Sequence, residues 1–211
     1  MTKNYECEKE PYMHAGLHNM WKVYRARKKA APNNEVSVFM FDKKAGKGKS
    51  QKLTPQHFEF LKADAVNLTK FRHPSLLNLV EAPLEDKAVI VFITEPVDFN
   101  LAALASDHLL RDRIPSEVDL KCMVLELMEC INFLHANAKT IHMNLSPENI
   151  YVTKEGKLKV GGLNFIKPFT TAEPIPVHLD FLARVREYCL VPNLRFAAPE
   201  LTANVQIQVT A

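Results

Sequence analysis

Residues 141–150 read Ile-His-Met-Asn-Leu-Ser-Pro-Glu-Asn-Ile, and the rest of the chain is organised around them. The segment is short and polar and lies between two apolar runs. Pro147 fixes φ at its own position and steers Ser146 away from helix, so a turn is expected here. Upstream, Leu120, Val124, Leu127, Ile131 and Leu134 recur at i, i+4, i+7, i+11 and i+14. That period predicts one long helix with a continuous apolar face, widened by Met123 and Met128. Ser116 and Asp119 have the spacing of a capping box at its start. Downstream, Tyr151-Val152 and Leu158-Val160 flank Glu155-Gly156 as a short strand pair.

The N-terminal half has a different period. Residues 1–20 are polar and read as irregular. Trp21 to Arg27 alternates apolar and basic residues, as a half-buried strand does. Ala31-Pro32-Asn33-Asn34 signals a turn, and Val36 to Phe41 is rich in β-branched and aromatic residues, so the two runs form a hairpin. Gln56 to Phe71 carries Phe60, Ala63, Leu68 and Phe71 at helical spacing behind Pro55, ending at His73-Pro74. Leu76 to Val80 and Val89 to Thr94 are further strands joined around Glu85-Asp86. After Glu95-Pro96 the pattern turns helical, first over Leu101 to Leu110. A β-rich lobe, a hinge and a helical lobe make an α+β arrangement. The divisions expected are 1–15, an irregular segment; 16–95, the β-rich lobe; 96–201, a partial helical lobe; and 202–211, a divergent tail.

The chain has 211 residues, 47% hydrophobic and 24% charged, ordinary for a protein with a packed core. No apolar run reaches the ~18 residues of a membrane span, and the charged N-terminus has no signal-peptide core, so the default expectation is cytoplasmic. Four cysteines (Cys7, Cys122, Cys130, Cys189) and eight histidines show no metal-ligand spacing, so no metal site is expected. Net charge is +3, but ten basic residues between Lys22 and Lys52 face only Glu35 and Asp42, a local +8. Such a window suits an anionic partner, a membrane surface or an acidic peptide at Lys43, Lys44, Lys47 and Lys49. Nothing points to nucleic acid.

The segment quoted first resembles the catalytic loop of protein kinases, H-R-D-L-K-P-E-N. His142, Leu145, Pro147, Glu148 and Asn149 match it; Met143, Asn144 and Ser146 do not. The spacing to the kinase D-F-G falls on Gly162-Leu163-Asn164, A-P-E on Ala198-Pro199-Glu200, and V-A-I-K on Val36-Ser37-Val38-Phe39. The glutamate of the small-lobe helix becomes Asp64, the hinge Thr94-Glu95-Pro96-Val97, and the glycine-rich loop Gly16-x-His18-x-x-Trp21. Val36-Ser37-Val38-Phe39-Met40-Phe41, the hinge wording and the loop wording are most similar to the SCY1-like pseudokinases, in particular the coated-vesicle-associated branch. The resemblance covers roughly Gly16 to Leu201. It implies a protein-kinase-like two-lobed fold, its helical lobe truncated after A-P-E, and a scaffold of vesicle trafficking, peripheral on vesicle, Golgi or endosomal membranes, with protein partners from that machinery.

Phosphoryl transfer rests on positioning and charge stabilisation. On that test the matched positions are degenerate: Phe39 has no charge for phosphates, Asp64 lacks its lysine, Asn144 cannot take a proton at neutral pH, Ser146 replaces the loop lysine, and Gly162 removes the magnesium carboxylate. On a strand Ser37, Phe39 and Phe41 share one face, and Lys43 lies about 13 Å further along, too far to substitute. No catalytic residues and no cofactor are therefore expected. The alternative is an atypical protein kinase, a serine/threonine-type transferase if active, or weak magnesium-independent ATP binding. It would use a vestigial pocket of Val23, Ser37, Glu95, Val97, Asn149 and Tyr151. The resemblance also sets a regulatory spine at Leu68, Leu79, His142 and Leu163. Residues off the main stripe of the long helix, Cys122 and Leu125, predict an exposed apolar face and association of the isolated chain.

Overall fold

The computed structural model describes residues 4–44, 53–170, 190–193 and 195–199, with the backbone of 175–177 and 207–209. Alternating apolar residues build the central hairpin of β3 (Trp21–Lys28) and β4 (Ala31–Asp42). Pairing runs from Lys22 opposite Met40 to Arg27 opposite Glu35, then jumps to Lys28 opposite Ala31. Pro32-Asn33-Asn34 thus forms a bulge, where proline's missing donor is tolerated, and the turn itself is Lys29-Ala30. Strand β6 (Val89–Thr94) pairs with β4, setting Phe39 opposite Phe92, and β5 (Leu79–Glu85) pairs with β6.

The N-terminal segment departs from its reading as irregular. β1 (Tyr5–Cys7) and β2 (Met13–Ala15) both pair with β3, giving a six-stranded antiparallel sheet in the order β1-β3-β4-β6-β5 with β2 also on β3. Each is three residues long, too short for alternation to register. Tyr5 from β1 joins Ala26, Val36, Val38, Val91 and Ile93 in a cluster on one face of the sheet. The opposite face, carrying Trp21, Val23, Phe39, Phe41 and Phe92, joins the main core. Both faces of β4 are therefore buried.

Helix α1 (Pro55–Leu68) starts at the Thr54 cap, where the His57 ring closes a capping box in the place of the usual Glu or Gln. Its buried stripe is His57, Leu61, Asp64, Ala65 and Leu68, not the Phe60–Ala63–Phe71 line; Phe60 instead meets Phe165 edge-on at 4.8 Å. The strand expected at Leu76–Val80 begins three residues later. Leu76 and Leu77 are a buried crossing, with the Leu77 amide donating to the Val160 carbonyl at 2.9 Å.

Beyond the hinge, β7 (Phe99–Asn100) leads into α2 (Leu101–Ser106), capped by Asn100, whose Oδ1 accepts from the Ala103 amide at 2.7 Å. The chain then tightens into a 3₁₀ run, His108–Arg113, so the helix expected to Leu110 stops at Ser106. Helix α3 (Glu117–Ala136) has the Ser116–Asp119 capping box. It buries Met123, Cys130 and Leu134, but Leu120 and Val124, read as the same face, are 45% and 55% exposed. Strands β8 (Thr140–Ile141), β9 (Ile150–Val152), β10 (Leu158–Val160) and β11 (Lys167–Pro168) follow, with β7-β9-β10 one small sheet and β8-β11 another. In the tail, β13 (Ile207–Val209) pairs antiparallel with β12 (Ile175–Val177), as its alternation implies. Glu200, Cys189, Lys47, Lys49 and Lys52 lie outside the described residues.

Candidate functional site: a closed kinase-like cleft

Between the two lobes the turn 141–150 lies against the Gly161–Asn164 segment. His142 is buried with one nitrogen on each side of a bond pair: Nε2 donates to the Gly161 carbonyl at 3.0 Å, and Nδ1 accepts from the Asn144 amide at 3.2 Å. Burial pushes the imidazole pKa down to about 4 and keeps the ring neutral, against the raising effect of the Gly161 carbonyl. Asn144 is buried as well. Its Nδ2 donates to the Gly162 carbonyl at 3.3 Å and to Asn164 Oδ1 at 3.2 Å. At the base position of a kinase the chain thus has a neutral amide acting as a structural donor.

Asn149 Nδ2 donates to the Asn144 carbonyl at 3.2 Å and to Ser146 Oγ at 3.0 Å, so Ser146 serves as a loop acceptor. Asn149 Oδ1 is buried without a hydrogen-bond partner. Gly162 has φ +78°, a left-handed conformation, and a Cβ built there would lie 2.4 Å from Asn149 Cγ. An aspartate at 162 would collide with the asparagine that kinases use beside it. A single orphaned amide oxygen does not make a magnesium site, and no group of three potential ligands occurs among the described residues.

Asp64, buried on α1, has its Oδ1 accepting from the Leu163 amide at 2.7 Å. Desolvation raises its pKa to about 6, against the lowering effect of the Leu163 and Gly162 amides. The bond ties α1 to the 162–164 turn, so the carboxylate caps backbone where a kinase glutamate would meet lysine. Leu68 and Leu163 lie in the main core, with Leu79 partly buried against it.

The pocket positions converge, and aromatic side chains fill the space between Val23, Phe39 and Tyr151. Phe39 stacks on Phe92 at 4.7 Å and 11°, and meets Tyr151 edge-on at 5.7 Å. Trp21 meets Phe92 edge-on at 4.8 Å, and its ring sits 2.5 Å from where a Gly16 Cβ would be. Phe39 is 1% exposed, Val23 0% and Tyr151 2%. At the hinge, the Val97 amide donates to Ser37 Oγ at 3.0 Å, and the Glu95 carbonyl accepts from Thr94 Oγ1 at 2.8 Å. Tyr12, from the segment read as irregular, donates its hydroxyl to the Val97 carbonyl at 2.8 Å and lies 3.0 Å from Ser37 Oγ. ATP with magnesium does not fit this donor set: the adenine-recognition groups are used internally and the phosphate end is filled by aromatic rings.

The glycine loop completes the closure. Gly16 N–H donates to the Glu148 carbonyl at 3.1 Å, and Leu17 is buried with Phe165 and Leu190. Asn193 Nδ2 donates to Glu148 Oε1 at 3.0 Å. Sequence reasoning missed Tyr12, Leu17 and Phe92. Only Phe92 had a signal, its place opposite Phe39 in the two strands.

The basic window is less free than its charge suggests. Lys43 pairs with Glu85, donates to the Asp86 carbonyl at 2.8 Å and lies over the Phe58 ring. Arg25 pairs with Asp98 at 3.2 Å, and Arg27 with Glu35 at 3.2 Å. Lys43 therefore leaves the group of four proposed for an anionic partner, while Lys44 is exposed.

The protein kinase domain model matches residues 19–210. SCY1-like protein 2 of Homo sapiens is 31% identical over 207 residues, covering 90% of this chain and 22% of the relative. Protein kinase domain-containing protein ppk32 of Schizosaccharomyces pombe is 32% identical over 190 residues, covering 80% and 25%. Protein kinase-like protein SCY1 of Saccharomyces cerevisiae is 26% identical over 189 residues, covering 79% and 23%. The chain thus spans about a quarter or less of the length of these relatives.

Proposed function

This chain belongs to the protein kinase domain family, among SCY1-like proteins, and we propose that it is a pseudokinase: a kinase-shaped, non-catalytic interaction module. The observation that carries the reading is the hinge, where the Val97 N–H and C=O are bonded to Ser37 and Tyr12. A nucleotide would have to break these bonds and unstack Phe39, Phe92 and Trp21, rings whose burial contributes a few kcal/mol. Asn144 and Gly162 add two independent losses, the base and the metal carboxylate, and a base alone is typically worth 10²–10⁴-fold.

As a scaffold the module would serve vesicle trafficking from the face of a membrane. Among the described residues no helix is long and apolar enough to cross one. Partners are proteins of that machinery, with an acidic peptide or anionic membrane at Lys44, Lys47 and Lys49. Salt-sensitive binding to anionic vesicles, lost when these three are changed to Gln, tests the charge component.

The test of the main reading is a thermal-shift titration with ATP, with and without magnesium. A ligand at a hundred times its Kd would stabilise the fold by about 2.7 kcal/mol. No shift is expected at millimolar ATP. A Kd in the low micromolar range overturns the proposal and points to a nucleotide-responsive module.

A further inference from the structure

A second cavity, of about 390 Å³, opens where the segment joining α1 to β5 meets the side chains of Glu95 and Lys159. That volume is within the range of small-molecule sites. None of Val23, Ser37, Phe39, Val97, Asn149 or Tyr151 lines it, so it is distinct from the closed cleft. Lys159 of β10 sets its base. Its side chain is 12% exposed, and Nζ donates to the Pro74 carbonyl at 2.7 Å and to Glu95 Oε2 at 2.9 Å. An ammonium has three protons, so one is left for a further acceptor. Glu95 is committed in turn, with Oε1 accepting from the Asn78 amide at 2.8 Å.

The other polar groups on the wall are donors. His73 Nδ1 accepts from the Ser75 amide at 3.1 Å, which leaves the ring proton on Nε2, and the ring is fixed by stacking on Phe133 at 5.0 Å. Arg72 and the Asn78 side chain are exposed and have no hydrogen-bond or ion-pair partner among the described residues. Arg72, His73, Asn78 and the third proton of Lys159 thus line one cavity whose carboxylate already accepts on both oxygens.

We propose that this cavity binds a carboxylate carried on a small apolar or aromatic body. Charge selects the anion. Arg72 and Lys159 against Glu95 leave 2 − 1 = +1, which one carboxylate cancels. A phosphate dianion would leave a negative charge unpaired beside Glu95. Geometry selects it as well, because a guanidinium fork matches a carboxylate with two parallel bonds. Phe71 and Leu76 supply the apolar wall for the body that carries the acid. The proposal stands apart from the pseudokinase reading: Glu95 enters through its carboxylate, not through the carbonyl that an adenine would meet. Lys159 belongs to β10, Glu95 to the hinge and Arg72 to the connection after α1, so a bound acid joins all three and stabilises the fold.

The probe is phenylacetate. Phenylacetamide is its uncharged counterpart, phenyl phosphate the dianion, and acetyl-Phe-Glu-amide the same acid presented by a protein chain. Amide chemical shifts of the whole chain report where each binds. Phenylacetate should saturate with a Kd of about 1 mM or tighter, within reach of a ligand of about ten non-hydrogen atoms. It should move amides within 71–78 and at Glu95 and Lys159, and leave the Trp21 indole N–H in the cleft unmoved. Phenylacetamide and phenyl phosphate should bind about tenfold more weakly, and Arg72→Gln should weaken phenylacetate about tenfold, the size of one charge-assisted hydrogen bond. Equal binding of acid and amide, or unchanged binding to Arg72→Gln, overturns the site. Tighter binding of phenyl phosphate overturns the choice of carboxylate. Shifts at Trp21 without shifts in 71–78 overturn this site and the closed cleft together. Peptide binding as tight as phenylacetate assigns the site to a protein acid, phenylacetate alone assigns it to a free one, and no binding of either overturns it. Should Arg72→Gln fail to fold, raising sodium chloride from about 50 to about 500 mM should weaken wild-type binding several-fold, and salt-independent binding overturns the charge pairing.

Discussion

Two buried groups of opposite pH behaviour sit within the cleft. Asp64 has its pKa raised from 3.8 to about 6, so the folded state holds its proton more tightly than the unfolded chain does. Its contribution to stability is fully present below pH 3.8 and is lost as pH rises through about 6. His142 is the reverse: lowered from 6.5 to about 4, it favours folding above pH 6.5, and that contribution is lost as pH falls toward 4. Between pH 4 and 6 the two slopes oppose each other. Asp64→Asn keeps an oxygen for the Leu163 amide and removes the buried charge, so it should stabilise the fold at pH 7.5, by ~3 kcal/mol at most for a two-unit shift. The gain should vanish near pH 4, and the variant should show the His142 slope alone, losing stability steadily between pH 6.5 and 4. Urea unfolding of both proteins across that range checks it; parallel curves would show that Asp64 is not the titrating group. At Gly162 the argument is steric: Gly162→Ala should destabilise by at least 1–3 kcal/mol from the left-handed φ alone, and Gly162→Asp should not create magnesium binding.

At the scale of elements, α3 is helical along its length but buried along half of it. Leu134 is fully buried, while Val118, Val124, Leu125 and Met128 are 67%, 55%, 57% and 63% exposed. Leu134→Ala should therefore cost about 2–5 kcal/mol. Leu125→Lys with Met128→Glu should change stability by less than about 0.5 kcal/mol and reduce concentration-dependent light scattering, since exposed apolar faces of this kind drive association. The helix was legible because its period and its Ser116 cap are local. Which half of its face is covered was not, because a period records the apolar residues and not the neighbour that covers them. The same limit applies to β1 and β2, whose three-residue strands exist only through pairing with β3, and to β5, displaced from Leu76–Val80 because Leu77 bonds to Val160. At the site, the lost charges at Phe39, Asn144 and Gly162 could be read position by position. The filling of the hinge by Tyr12 could not, since it joins residues 85 apart in sequence.

Taken as a whole, the molecule is held shut by bonds that cross its cleft. The Gly16 amide reaches the Glu148 carbonyl, Asn100 Nδ2 reaches the His14 carbonyl at 2.9 Å, and Asn67 Nδ2 reaches the Leu163 carbonyl at 2.8 Å. Leu17 is the apolar counterpart of these bonds, buried between Phe165 and Leu190. A kinase must open and close this gap to exchange nucleotide; here bonds of the chain itself bridge it. The two lobes should then unfold together, in one calorimetric transition whose van't Hoff and calorimetric enthalpies agree. Leu17→Ser removes the apolar contact and buries a hydroxyl in its place. It should lower the global stability by a few kcal/mol, in the range of large-to-small core changes, and should raise amide exchange at Gly16 and Gly161–Leu163 more than in β4 or β6. That ordering separates a hinge-like opening from general loosening. If Leu17→Ser instead speeds exchange evenly through both lobes, the cleft contacts are ordinary core. If wild type melts in two steps, the lobes are independent units and the closed state is not a property of the fold.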